Sequence, residues 1–160
     1  MWWNYIISLL TAIPLIVMAI EDYRKREINV LWLFLFVLLV IVNSIHMKSY
    51  ITIMSNMFYN SLILCFLLAS ISIWLSIRKR EFVNPFIQYI GWGDIIFLWA
   101  LTPVFNLRGY LIYLIISSSI SIIYWMTYNK LIQKRHNLDS TIPLVTMAGI
   151  TYFTYLIFNI

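Results

Sequence analysis

Charge is what this sequence lacks most: only 11% of its residues are Asp, Glu, Lys or Arg, and 62% are hydrophobic. A soluble domain carries roughly a quarter charged residues, so this chain has too little polar surface to face water on all sides. A disordered chain is excluded for the same reason. One cysteine excludes a disulfide framework and a cysteine-based zinc site. The histidines, His46 and His136, are read as loop residues on opposite membrane sides and cannot share a metal. No metal and no cofactor is expected. Four glycines and four prolines in 160 residues leave long stretches uninterrupted.

What is present is apolar sequence in runs. Six spans are predicted, at about Trp3–Ile20, Val30–Ile45, Asn60–Ile77, Phe86–Phe105, Tyr110–Tyr128 and Ile142–Ile160. A helix needs about 20 mostly apolar residues to cross a bilayer core of about 30 Å. The runs are continuous rather than alternating, which points to helices and not barrel strands. The expected fold is therefore all-α, a single polytopic membrane domain over residues 1–160. Trp2, Trp3 and Tyr5 suit interface anchors. The first span lacks the basic start and small-residue cleavage site of a secretory signal.

The net charge of +5 is not spread along one face, which argues against nucleic acid as a partner. Arg24, Lys25 and Arg26 fall in the first loop, Arg78, Lys79 and Arg80 in the third, and Lys130, Lys134 and Arg135 in the fifth. The second loop holds only Lys48 and the fourth only Arg108. Nine basic residues thus alternate with two, and the positive-inside rule puts the odd loops in the cytoplasm and both termini outside. Arg-Lys-Arg-Glu occurs at 24–27 and again at 78–81, which shared loop composition explains.

The acidic residues carry the chemistry. Glu27, Glu81 and Asp139 sit among loop cations and read as solvated partners. Asp22 ends the first span, and Asp94 lies in Ile90-Gly91-Trp92-Gly93-Asp94-Ile95 with no basic residue within ten positions. An ionised Asp at mid-helix costs about 2.5–3.5 kcal/mol to insert, so such a residue is by default functional. The topology brings Asp22 and Asp94 toward the same membrane face. The helix bearing Asp94 could begin at Phe86 or near Gly91–Asp94, and Pro85 with the glycines favours the later start. Two close carboxylates can share one proton. One then takes a proton from water while the other protonates a peptide carbonyl. Gly91 and Gly93 would permit close backbone approach and unusual φ values. Glu21 adjoins Asp22 but points about 100° away from it on a helix. Asn29 and Trp92 are further candidates for shaping the site, Gln88, polar in an apolar context, is a candidate for serving the substrate, and Cys65 is read as a packing residue in the third span.

Gly91-Trp92-Gly93-Asp94 resembles the signature of GxGD-type intramembrane aspartyl proteases. Asp22-Tyr23-Arg24-Lys25-Arg26-Glu27-Ile28-Asn29 is similar to the type IV prepilin peptidase pattern, in which an Asp closes the first helix and a basic stretch leads to Ile-Pro-Asn. Here Asn29 follows Ile28 without the proline. Ile142-Pro143-Leu144 with Gly149 is similar to the family's last helix. The resemblance implies that Asp22 and Asp94 are the catalytic pair. It implies removal, at the cytoplasmic face of a prokaryotic inner membrane, of short basic leaders from prepilin-like single-span substrates. The chain lacks the cysteine-bearing cytoplasmic region of long members, so the short, peptidase-only form is implied, without methyl transfer. Two other readings use the same residues: a proton- or cation-translocating subunit with Ser117–Ser119 on its path, and a non-enzymatic assembly component of a pilus or secretion system.

Overall fold

Apolar side chains leave the backbone no water to bond with, so the chain satisfies its peptide groups within helices. The computed structural model describes residues 2–25, 28–80, 91–132 and 144–159. Among these, all regular structure is helical: α1 (Trp2–Lys25), α2 (Val30–Met47), α3 (Tyr50–Lys79), α4 (Trp92–Ala100), α5 (Leu107–Ile132) and α6 (Leu144–Asn159). Four of them, α1, α2, α3 and α5, are long and apolar enough to cross a membrane. α6 is a shorter apolar helix. The anchor side chains Trp2, Trp3 and Tyr5, together with Gln88, His136, Asp139, Glu27, Glu81, Pro143 and most of the fifth loop, lie outside what is described.

Several boundaries differ from the predicted spans. α3 begins at Tyr50, well before Asn60, because Ser49 caps it by accepting from the Thr52 N–H. His46 belongs to the last turn of α2 rather than to a loop. Cys65, expected to pack, is exposed on α3. The described part of the fourth span is a nine-residue helix starting at Trp92, the later of the two starts considered. Turns occupy 101–104 after it. Pro103 has no N–H to continue the ladder, so the helix stops short of it.

α1 packs on α2 and α6, and α4 packs on α2 and α6. The shared core holds Leu15, Met18, Leu33, Phe36, Phe97, Tyr113, Val145 and Tyr152. Its aromatic rings interlock: Phe36 stacks on Phe97 at 5.1 Å and meets Tyr152 edge-on at 5.9 Å. The Tyr113 hydroxyl donates to the Ala148 carbonyl at 2.9 Å, joining α5 to α6. Many large apolar side chains elsewhere are exposed, including Phe34, Phe58, Phe66 and Ile115, as expected of helices whose outer faces meet lipid.

The break after α4 leaves carbonyls that a helix would have paired. Asn60 on α3, fully buried, donates through Nδ2 to the Thr102 and Phe105 carbonyls at 2.9 and 2.7 Å. Lys48 donates to the Pro103 and Val104 carbonyls. Burial pushes its ammonium pKa below the usual lysine value. These side chains fix the exit of α4 and hence the helix that carries Asp94.

At its other end α4 is fixed by packing. A Cβ at Gly93 would stand 2.9 Å from the Ile28 Cδ1, so the glycine lets the approach to α2 nest against α4. Two expectations follow. Asn60→Leu leaves two carbonyls without donors and lowers stability by about 1–3 kcal/mol, read as an earlier unfolding midpoint in detergent. Gly93→Ala costs about 1 kcal/mol through overpacking. Ile28→Val, which removes the Cδ1 atom, recovers most of that loss in the double variant, and purely additive losses would contradict the contact.

Candidate active site

Asp22 lies on a stripe of α1 formed by Leu15, Ala19 and Asp22, residues spaced four and three apart and so on one helix face. That stripe meets α6. A Cβ at Gly149 would lie 3.3 Å from Leu15 Cδ1, so the helices approach closely there. Three residues earlier on α6, the Thr146 hydroxyl is 3.1 Å from the Ala19 carbonyl oxygen and 2.7 Å from Asp22 Oδ2. The Thr146 N–H also donates to Oδ2, at 2.8 Å. The N–H groups that open a helix have no partner within it. The Asp22 carboxylate supplies one, at the end where the helix dipole favours negative charge. Asp22 is only 7% exposed, and this is what its burial rests on.

Asp94 stands at a second helix opening. Gly91 is the N-cap of α4 with extended backbone, and Asp94 lies in the first turn. The Asp94 carboxylate takes a hydrogen bond from the Gly91 backbone N–H, half of a capping box. Asp94 is partly buried, and the charge of Asp22 acts on it. The two predicted acids, 72 positions apart in the chain, therefore come within electrostatic reach of each other, between the end of α1 and the openings of α4 and α6.

The glycines act by size alone. No glycine has a positive φ, so the unusual backbone angles expected of Gly91 and Gly93 are not used. Gly93 makes room for Ile28, and Gly91 is exposed beside Asp94. Trp92 is exposed, 65% by area.

Asn29 acts one step away from the acids. Its side chain caps α2 by accepting from the Leu31 N–H at 3.0 Å. Its own N–H donates to Glu21 Oε2 at 3.2 Å. Adjacent residues of α1 thus diverge as helix geometry requires: Asp22 turns into the bundle, and Glu21 ties down the connection to α2.

Thr146 was not singled out from the sequence. Its only signal was position, shortly after the Ile142-Pro143-Leu144 stretch. Other polar groups lie apart from the acids. Ser117, Ser118 and Ser119 each donate to a carbonyl of their own helix. A cavity of about 200 Å³ is lined by Ser8, Asn43, Ser44, Lys48, Tyr152 and Leu156 among others. Ser8 is about 21 Å from Asp22 along α1, so this cavity belongs to the other end of the bundle. Among the described residues no three His, Cys, Asp or Glu side chains gather as a metal site would need.

Comparison with known proteins gives one match. No curated protein and no solved structure matches the chain. Residues 9–126 match the type IV leader peptidase family. The matched stretch holds both Asp22 and Asp94 and covers well over half of the sequence. The chain, a helical protein with several membrane-length apolar segments, belongs to the type IV leader peptidase family.

Proposed function

We propose that this protein is a membrane-embedded aspartic endopeptidase. It removes the short basic leader from prepilin-like, single-span proteins at the cytoplasmic face of a prokaryotic inner membrane. The observation that carries the reading is that the Asp22 and Asp94 carboxylates lie within electrostatic reach of each other, each beside the opening of a helix, in a chain of the leader peptidase family. Both acids come from the cytoplasmic ends of their segments in the orientation that the basic loops favour, with six passes and both termini outside.

The pair holds one proton between two carboxylates. The ionised member takes a proton from water as the water oxygen attacks the scissile carbonyl carbon. The protonated member gives its proton to the carbonyl oxygen, producing a tetrahedral diol. Collapse breaks the C–N bond. The first carboxyl passes its proton to the leaving nitrogen, and the second recovers one from the diol. Peptide and water become acid and amine, and the pair returns to its starting state. Exposed Gly91 and Trp92 border Asp94 where an extended leader would lie. Peptidase activity without methyl transfer fits a chain whose single cysteine sits on α3.

Purified protein should cut a prepilin-like substrate at one bond. Asp22→Asn and Asp94→Asn should each lower that rate by about 10²–10⁴-fold while accumulating normally in membranes. Normal cleavage by either variant removes that residue from the mechanism. Orientation is checked separately, in a Cys65→Ser background. Ser49→Cys should react with a membrane-impermeant maleimide in intact cells and Arg80→Cys should not, and the reverse pattern would overturn the topology.

A further inference from the structure

We propose that Thr146 is a positioning residue of the peptidase: it fixes the Asp22 carboxylate through Oδ2, so that Oδ1 is the oxygen that takes the proton from water. This deepens the proposed function and rests on it. Thr146 lies outside the matched residues 9–126, so the family match assigns it nothing.

The geometry is specific to one oxygen. The Thr146 N–H and hydroxyl both reach Asp22 Oδ2, at 2.8 and 2.7 Å. Both residues are buried, at 8% and 7% exposure, so water competes little for these bonds. Two donors on one carboxylate oxygen fix both the torsion of the side chain and the identity of the remaining oxygen. Such preorganisation is what a group needs if it must meet a water molecule in one orientation.

The hydroxyl adds something that the backbone N–H cannot. Ala19 presents its carbonyl oxygen 3.1 Å from the same Oγ1. While Asp22 is ionised, the hydroxyl donates to Oδ2. When Oδ1 has taken the proton from water, Oδ2 becomes the carbonyl oxygen of a neutral acid and a weaker acceptor, so the hydroxyl can turn its hydrogen to the Ala19 carbonyl while the Thr146 N–H keeps hold of Oδ2. One rotor therefore serves both states of the base with no backbone movement. Asp94, held by a backbone N–H at the opening of α4, is the partner that carries the shared proton to the substrate carbonyl.

The test is kinetic, on purified full-length protein in lipid nanodiscs with a prepilin-like substrate. Thr146→Val keeps the shape and removes the hydroxyl. It should lower kcat by about 10- to 100-fold, the loss expected for a hydrogen bond to a charged group, with KM changed less than about twofold. Thr146→Ala should show the same split, and Thr146→Ser should retain kcat within about threefold. Active wild type with an unimpaired Thr146→Val, a Ser variant as slow as Val, or a loss confined to KM would each overturn the positioning role alone. A wild-type chain that cuts no leader overturns the peptidase reading and the positioning role together.

Discussion

The two hydrogens that Thr146 directs at Asp22 Oδ2 make a buried carboxylate tolerable in this bundle. An acid with almost no solvent contact needs donors from the protein. The end of α1 has none to offer, because backbone N–H groups there are already used within the helix. The opening of another helix does have them. α6 must therefore pack with its first turn against the end of α1, and Gly149 against Leu15 keeps the helices close enough for it. Asp94 solves the same problem inside its own segment by capping α4. Each acid is thus tied to a helix N-terminus, and the packing of α1 and α4 on α6 leaves the two within electrostatic reach.

The same constraint shapes the polypeptide around α4. A helix stopped before Pro103 leaves carbonyls unpaired in an apolar setting. Asn60 and Lys48 reach across from α3 and from the α2–α3 connection to satisfy them. Ile28, just before the N-cap of α2, fills the space that Gly93 leaves open. Glu21 holds the N–H of Asn29. Groups distant from the acids in sequence therefore set the position of the short helix that presents Asp94. That short helix opens beside Gly91 and Trp92, both of them exposed.

Much of this was readable from the amino acids in order. Long apolar runs specify helices by length alone, and α1, α2 and α5 fall close to the predicted positions. Asp22 and Asp94 stood out because ionisable residues in such runs are costly. Pro85 and the two glycines, which interrupt helix, pointed to the later start of α4, the one observed. What could not be read was lateral packing. Composition does not say which helix faces which, so Thr146 gave no sign of meeting Asp22 across 124 positions. Asn60 read as the first residue of a span because its role depends on carbonyls more than forty residues away. The glycines suggested special backbone angles. At Gly93 the need was for space, which only the packed partner Ile28 reveals.

The central claim is that two membrane carboxylates activate water directly for peptide cleavage. Single-turnover cleavage in water enriched in oxygen-18, with enzyme in excess over a prepilin-like substrate, tests it most directly. The account predicts one heavy oxygen in the new carboxyl group of the released leader after the first turnover and none in the protein. A first-turnover leader without label, with the heavy atom appearing afterwards in an Asp22 or Asp94 carboxylate, would contradict it.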